Sequence, residues 1–253
     1  MSTASPETVP RVTAMLALEQ VNTYRGTAHI LRGVSLNVKE GEAVCLVGRN
    51  GAGKTTTMES IMGLLPVRSG KIALQGRDIT RLPPHARAQL GIGYAPDDCG
   101  IFPELTVAEN LQIGQWLARA SGGRASSSSS GDIQERIFAV FPEVREFTTR
   151  RGLNLSGGQK KMTAIARAMA LSPAILLLDE AFEGLAPVVV NRFIEAVKKI
   201  KGMGISVLIA ESNLMTATRV ADRLYAIDRG EIIFEGDPQS ALRNEGVMKT
   251  IRG

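Results

Sequence analysis

Cysteine is scarce in this chain: 253 residues contain two, Cys45 and Cys99, far apart in sequence. That excludes a disulfide framework and a thiolate metal site, both of which need several cysteines at set spacings. Cys45 lies within an apolar run and reads as a small buried hydrophobe. Aromatic residues are also few, at 4%, and the Lys and Arg residues are scattered, the longest basic cluster being Lys198-Lys199 with Lys201. A nucleic-acid surface needs stacking rings and a concentrated basic face, so the net charge of +5 does not point to nucleic acid. No apolar stretch approaches the roughly 18 to 20 residues needed to cross a bilayer. Residues 1–13 are polar, include Glu7, and lack the basic start and apolar centre of a signal peptide, so the chain is expected to stay in the compartment where it is made.

What is present is an ordinary globular composition, 44% hydrophobic and 22% charged, enough to bury the core of one domain. Val34, Leu36 and Val38 alternate with polar neighbours, the period of a half-buried strand, and Gly41-Glu42 turns the chain. Residues 43–47 are continuously apolar, as in a strand covered on both faces. Residues 54–65 read as a helix stopped by Pro66, and 71–74 with the turn at Gln75-Gly76 as a small hairpin. Thr106 and Glu109 have the capping-box spacing that opens a helix from 107 to about 117. The Ser/Gly tract 121–131 is predicted to be a flexible surface excursion. Strong helix formers fill 159–171, with Ser156 placed as the cap. Apolar runs at 174–178, 205–210 and 224–227 alternate with helical stretches at 189–200 and 214–220, the pattern of an α/β sheet.

Gly48-Arg49-Asn50-Gly51-Ala52-Gly53-Lys54-Thr55 satisfies the phosphate-loop pattern and sits between a predicted strand and a predicted helix. Its glycines let backbone N–H groups turn toward phosphate oxygens, and the helix N-terminus adds a favourable dipole. Lys54 supplies positive charge, Thr55 offers a hydroxyl to Mg²⁺, and Thr56 continues the cradle. Downstream, an apolar strand ends in Asp179-Glu180, at the sheet edge where α/β ligands bind. Two acids there suit separate tasks: Asp179 would hold Mg²⁺ through its water shell, while Glu180 would polarise the attacking water as general base.

Leu155-Ser156-Gly157-Gly158-Gln159 is a second anion-binding helix start, in which the Ser156 hydroxyl and the following N–H groups face a γ-phosphate. Placed between the two ATP motifs, it resembles the signature of the ABC ATPases, and the resemblance covers the chain from about Ala14 onward. The resemblance implies a P-loop NTPase core sheet with an antiparallel β subdomain and an inserted α-helical subdomain. It also implies ATP and Mg²⁺ as cofactors, and head-to-tail dimers in which the signature of one subunit completes the site of its mate. Tyr24 stands where the family places an aromatic against adenine. Gly91-Ile92-Gly93-Tyr94-Ala95-Pro96, with 101–110 and Gly184-Leu185-Ala186-Pro187, is similar to the branched-chain amino acid uptake ATPases. That similarity implies an importer with two membrane-spanning permease subunits, a second ABC ATPase subunit and, indirectly, a periplasmic substrate-binding protein. The chain would then sit on the cytoplasmic face of the inner membrane. The expected division is a tail, 1–13, and one domain, 14–253, with 94–171 as the helical subdomain.

Two positions depart from the family. Asp97 follows Pro96 where the family has Gln or, in the branched-chain group, Glu; it is one methylene shorter but its charge suits a cation. Ser212 stands where a histidine is usual after the strand 205–210, and a hydroxyl can bond γ-phosphate without carrying charge. Asp97 is therefore a candidate metal ligand and Ser212 a candidate γ-phosphate contact. The alternative reading is a regulatory or catalytically weakened partner in a heterodimeric ATPase pair.

Overall fold

The computed structural model describes residues 14–120 and 130–252. The expected tail and most of the expected flexible tract lie outside the described residues. Two long strands, β1 (Ala14–Arg25) and β2 (Ala28–Lys39), form an antiparallel pair that β4 (Val67–Leu74) and the short β5 (Arg77–Asp78) extend into a four-stranded sheet. Val34, Leu36 and Val38 of β2 are buried while Ser35 and Lys39 are exposed, as their alternation predicts.

The second sheet has six strands in the order β10-β9-β3-β8-β7-β6. They are β3 (Ala43–Val47), β6 (Ile92–Ala95), β7 (Ile175–Asp179), β8 (Ser206–Glu211), β9 (Arg223–Asp228) and β10 (Glu231–Gly236). All pairings are parallel except β10 with β9. Every residue of β3, β7 and β8 is buried, because one face packs on helices and the other on the antiparallel sheet and first helix. Along β3, Ala43, Cys45 and Val47 belong to one core and Val44 and Leu46 to the other. This two-sided burial is why these strands read as continuous apolar runs rather than alternating ones.

The helices are α1 (Lys54–Met62), α2 (Pro84–Gln89), α3 (Val107–Ala120), α4 (Ser130–Val140), α5 (Pro142–Glu146), α6 (Gly157–Met169), α7 (Pro187–Gly202), α8 (Leu214–Val220), α9 (Pro238–Arg243) and α10 (Glu245–Arg252). Helix α1 ends three residues earlier than predicted, at Met62 rather than Leu65. Gly63 adopts φ 79° and its N–H bonds back to the last turn, so a left-handed glycine stops the helix before Pro66 does. Helix α6 starts two residues earlier than expected, since Gly157 and Gly158 form its first turn, and it ends at Met169 rather than Leu171. The core sheet takes in Tyr94 and Ala95, which pair with Leu177 and Leu178, so β6 runs past the expected start of the helical subdomain at 94.

Candidate functional site

The parallel strands β3, β6, β7 and β8 all point their C-terminal ends at one edge of the sheet, where Gly48, Asp97, Asp179-Glu180 and Ser212 follow them. Gly51 and Gly53 have φ of 83° and 116°, which a side chain would resist. Gly48 admits no Cβ at all: one would come within 2.4 Å of the Ile227 carbonyl oxygen. The loop therefore wraps closely against β9 and delivers Lys54 to the first turn of α1. Lys54 is 4% exposed. Its ammonium donates to the carbonyls of Gly48 at 2.8 Å and Arg49 at 3.1 Å and to Ser212 Oγ at 3.0 Å. It also pairs with Glu180 Oε1 at 2.9 Å.

Ser212 joins this cluster, with its hydroxyl 2.9 Å from both Asn50 Oδ1 and Glu180 Oε1. The other oxygen of Glu180, Oε2, is buried with no hydrogen-bond partner among the described residues. An acceptor so placed is costly to leave unpaired and marks a position where a water or a substrate proton belongs. Glu180 itself holds φ 48°, a conformation that costs a non-glycine residue of order 1 to 3 kcal/mol and persists only when neighbours hold it.

A cavity of about 400 Å³ opens in front of the loop, lined by Asn50, Gly51, Gly53, Lys54, Thr55 and Thr56 together with Asp97 and Glu180. That volume lies within the usual range for small-ligand sites. Beside it, Thr55 Oγ1 donates to Asp179 Oδ1 at 3.3 Å and Tyr94 donates to Asp179 Oδ2 at 3.4 Å. Burial pushes the Asp179 carboxyl up to about 6, with the Thr55 hydroxyl opposing it. A hydroxyl beside a carboxylate suits a hard divalent cation. No group of three or more His, Cys, Asp or Glu residues that could hold a metal occurs among the described residues. A cation here would thus need oxygens from a bound phosphate, as Mg²⁺ sites of nucleotide enzymes do.

Ser156 caps α6 as expected: its hydroxyl accepts from the Gln159 N–H at 3.3 Å and the Gln159 side chain accepts from the Ser156 N–H at 3.0 Å. Ser156 and Gly157 are exposed, and no residue of 155–159 lines the Lys54 cavity. Tyr24 lies outside the cavity too. Its ring stacks on His29, with centroids 4.3 Å apart and planes 3° from parallel, and it borders a neighbouring cleft with Arg68 and Arg81. Asp97 reaches the cavity rim, with its side chain 56% exposed and 3.8 Å from Lys161 Nζ.

Three side chains at this edge went unread in the sequence. Arg25 lines the cavity and donates to Thr56 Oγ1 at 3.3 Å; nothing local marks it. Lys161 donates to the Glu180 carbonyl. Glu211 ends β8 and is 2% exposed, with Oε1 accepting from the Phe182 N–H at 3.0 Å. An acid terminating an apolar strand is the signal that singled out Asp179, and it marks Glu211 equally. Burial, with the Glu180 charge adding to it, raises the Glu211 carboxyl to about 7.

An acid raised in this way stabilises the fold fully below its unfolded value of 4.5 and loses that contribution as pH climbs through about 7. Glu211→Gln is therefore expected to gain stability over the wild type by up to about 3 kcal/mol between pH 4.5 and 7.5. Urea denaturation across that pH range reads the effect; a pH-independent difference would contradict it.

With this geometry in place, the family follows from comparison with known proteins. A sequence model of the ABC transporter family matches residues 31–183. The chain belongs to the ABC transporter ATPases. As a member, this ABC ATPase hydrolyses ATP. It is 33% identical over 240 residues to the high-affinity branched-chain amino acid transport ATP-binding protein BraG of Pseudomonas aeruginosa, covering 94% of this chain and 100% of that one. It is also 33% identical over 239 residues to the lipopolysaccharide export system ATP-binding protein LptB of Escherichia coli, covering 94% and 97%. Among solved structures, the ADP conformation of an ATP-binding cassette of an ABC transporter superposes with a TM-score of 0.80 at 28% identity, over 95% of this chain and 99% of that one. A dimeric cassette in a post-hydrolysis state, bound to ADP and Pi, matches with a TM-score of 0.75 at 26% identity, over 88% and 99%. The expected fold, a P-loop NTPase core with an antiparallel β subdomain and helical insertion, is that of this ABC ATPase. No helix among its described residues is long and apolar enough to cross a membrane.

Proposed function

We propose that this ABC ATPase works as half of a head-to-tail dimer that powers an importer of branched-chain or related amino acids. The observation that carries the dimer is the pair of anion-binding helix starts in one chain. One of them, at Lys54, lines the cavity; the other, at Ser156, is exposed and lines none of it. A mate turned head to tail would bring Ser156, Gly157, Gly158 and Gln159 onto the nucleotide held by Lys54.

In this reading Arg49, Asn50, Gly51, Ala52, Gly53 and Thr56 cradle the phosphates, Lys54 neutralises their charge, and Tyr24 meets the adenine. Thr55 and Asp179, with Asp97 at the rim, would hold Mg²⁺, which supplies charge neutralisation on the phosphates when bound. The Glu180 carboxylate takes the proton from water attacking the γ-phosphorus, and Ser212 bonds the γ-phosphate. The described helices between β6 and β7 form the lobe that meets the permeases.

An apolar cleft of about 360 Å³ supports that last assignment. It is lined by Met62, Leu64, Phe102, Ile113 and Leu117, and Leu64, Phe102, Trp116 and Leu117 are each 47 to 57% exposed. An amphipathic helix of a permease fits such a groove, and it would place the chain peripherally on the cytoplasmic face of the membrane. The likeness to LptB keeps export open as a second reading of the cargo direction.

Reconstitution decides between them. Vesicles carrying two copies of this chain and its two permeases are expected to accumulate labelled leucine only with ATP and binding protein present. Leucine movement without a binding protein, or extraction of lipid instead, would overturn the import reading.

A further inference from the structure

Glu180 holds a left-handed conformation, φ 48°, so something must keep its carboxylate aimed at Lys54. Its own N–H is tied to the Ala210 carbonyl at 3.0 Å, a backbone bond that leaves the side chain's direction open. Its carbonyl is the more telling end. The Glu183 N–H donates to it at 3.2 Å, closing a turn, and the Lys161 ammonium donates to the same oxygen from α6. Two residues beyond Glu180, the Phe182 N–H is held by Glu211. The corner after β7 is thus pinned by one side chain from α6 and one from β8.

We propose that Lys161 is a positioning residue of the ATPase: by fixing the Glu180 carbonyl from the helix that Ser156 opens, it keeps the Glu180 carboxylate on Lys54 and Ser212. Three observations carry it. Lys161 is buried for a lysine, with 15% of its side chain exposed, so the ammonium is committed to this contact rather than to water. Its nearest carboxylate, Asp97, lies 3.8 Å away and is itself 56% exposed, so that ion pair is a weak reason to hold the lysine there. And Lys161 lies five residues beyond Ser156, roughly 7.5 Å along the helix axis.

That last distance gives the contact a second consequence. Ser156 faces the nucleotide of the mate, while Lys161, one turn and a half further on, holds the base of its own chain. A displacement of α6 when the mate's nucleotide binds reaches Glu180 through one side chain, so the two ATP sites of a dimer are coupled at the level of the base.

The assignment rests on Glu180 being the base, and the experiment separates the two. Hydrogen exchange is measured on the full nucleotide-free chain, wild type and Lys161→Met. The amides of 182–184 are expected to exchange about tenfold faster in the variant, with β7 unchanged. ATP turnover should fall about tenfold or more while ATP affinity moves less than about twofold, and Lys161→Arg, which keeps a donor, should restore both corner protection and turnover. Should Lys161→Met not fold, Lys161→Gln carries the same readings at smaller amplitude. Unchanged exchange at 182–184, or losses that Arg fails to restore, overturns the positioning role. Wild-type turnover in Glu180→Gln overturns the base reading instead, whatever the exchange shows.

Discussion

Glu180→Gln is expected to lower ATP turnover by about 100- to 1,000-fold while leaving ATP affinity within about threefold. Gln preserves the volume and one oxygen acceptor, so the contacts to Ser212 Oγ and Lys54 Nζ, each 2.9 Å from Glu180 Oε1, survive in kind. What is lost is basicity at the unpaired, buried Oε2, the atom best placed to take a proton from water. Removing the carboxylate also frees the Lys54 ammonium from its ion pair, which favours the phosphate over the protein as its partner. Nucleotide therefore stays bound while hydrolysis stalls. Lys54→Ala behaves differently, because it deletes a buried cation of the cavity and costs binding as well as turnover. Steady-state ATPase assays paired with fluorescent-nucleotide titration separate the two variants; equal losses of affinity in both would contradict the division of labour.

Arg87→Met is expected to destabilise the chain by about 3 to 5 kcal/mol. Arg87 is 2% exposed, and its guanidinium donates to four carbonyls: Leu82 and Thr80 at 2.8 Å, Ser60 at 2.8 Å and Ile61 at 2.7 Å. Two of those belong to the last turn of α1, where helix carbonyls have no partner of their own. A Cβ on Gly63 would come within 2.8 Å of Arg87 Nε, so the glycine that stops the helix also makes room for the arginine that caps it. Methionine fills the volume but leaves these acceptors unpaired. Since α1 begins at Lys54, loosening its far end also slackens the phosphate loop. Thermal melting should fall by about 6 to 15 °C for a chain of this size. Arg87→Lys should recover only part of this, because an ammonium cannot match the planar fork. A shift under about 2 °C for Arg87→Met would contradict the capping role.

These two predictions draw on different parts of what the sequence reveals. The phosphate loop, the Asp179-Glu180 pair and the Ser156 cap were legible because each is a local pattern, in which residues a few positions apart act on the same backbone turn. The buried parallel strands were legible because burial on both faces writes itself as an unbroken apolar run. Arg87, Lys161 and Arg25 were not, since each reaches its partners through space. Lys161 contacts a carbonyl 19 residues away, Arg25 a hydroxyl 31 residues away, and Arg87 the end of a helix 26 residues upstream. Glu211, which ends an apolar strand as Asp179 does, carries a local signal; its place level with Val47 comes from the parallel register of β8 with β3. At the end of α1 the left-handed Gly63 stops the helix before Pro66 does, and a glycine's φ is not written in the hydrophobic pattern.

Complementation tests the shared site most directly. Lys54→Ala and Ser156→Arg are each expected to abolish turnover alone. Mixed in equal amounts, they should recover up to about a quarter of the wild-type rate, because half of the random dimers contain one interface with both Lys54 and Ser156 intact. If the two elements serve the same nucleotide within one chain, no dimer regains a complete site and mixing restores nothing; that result would contradict ATP being clamped between subunits.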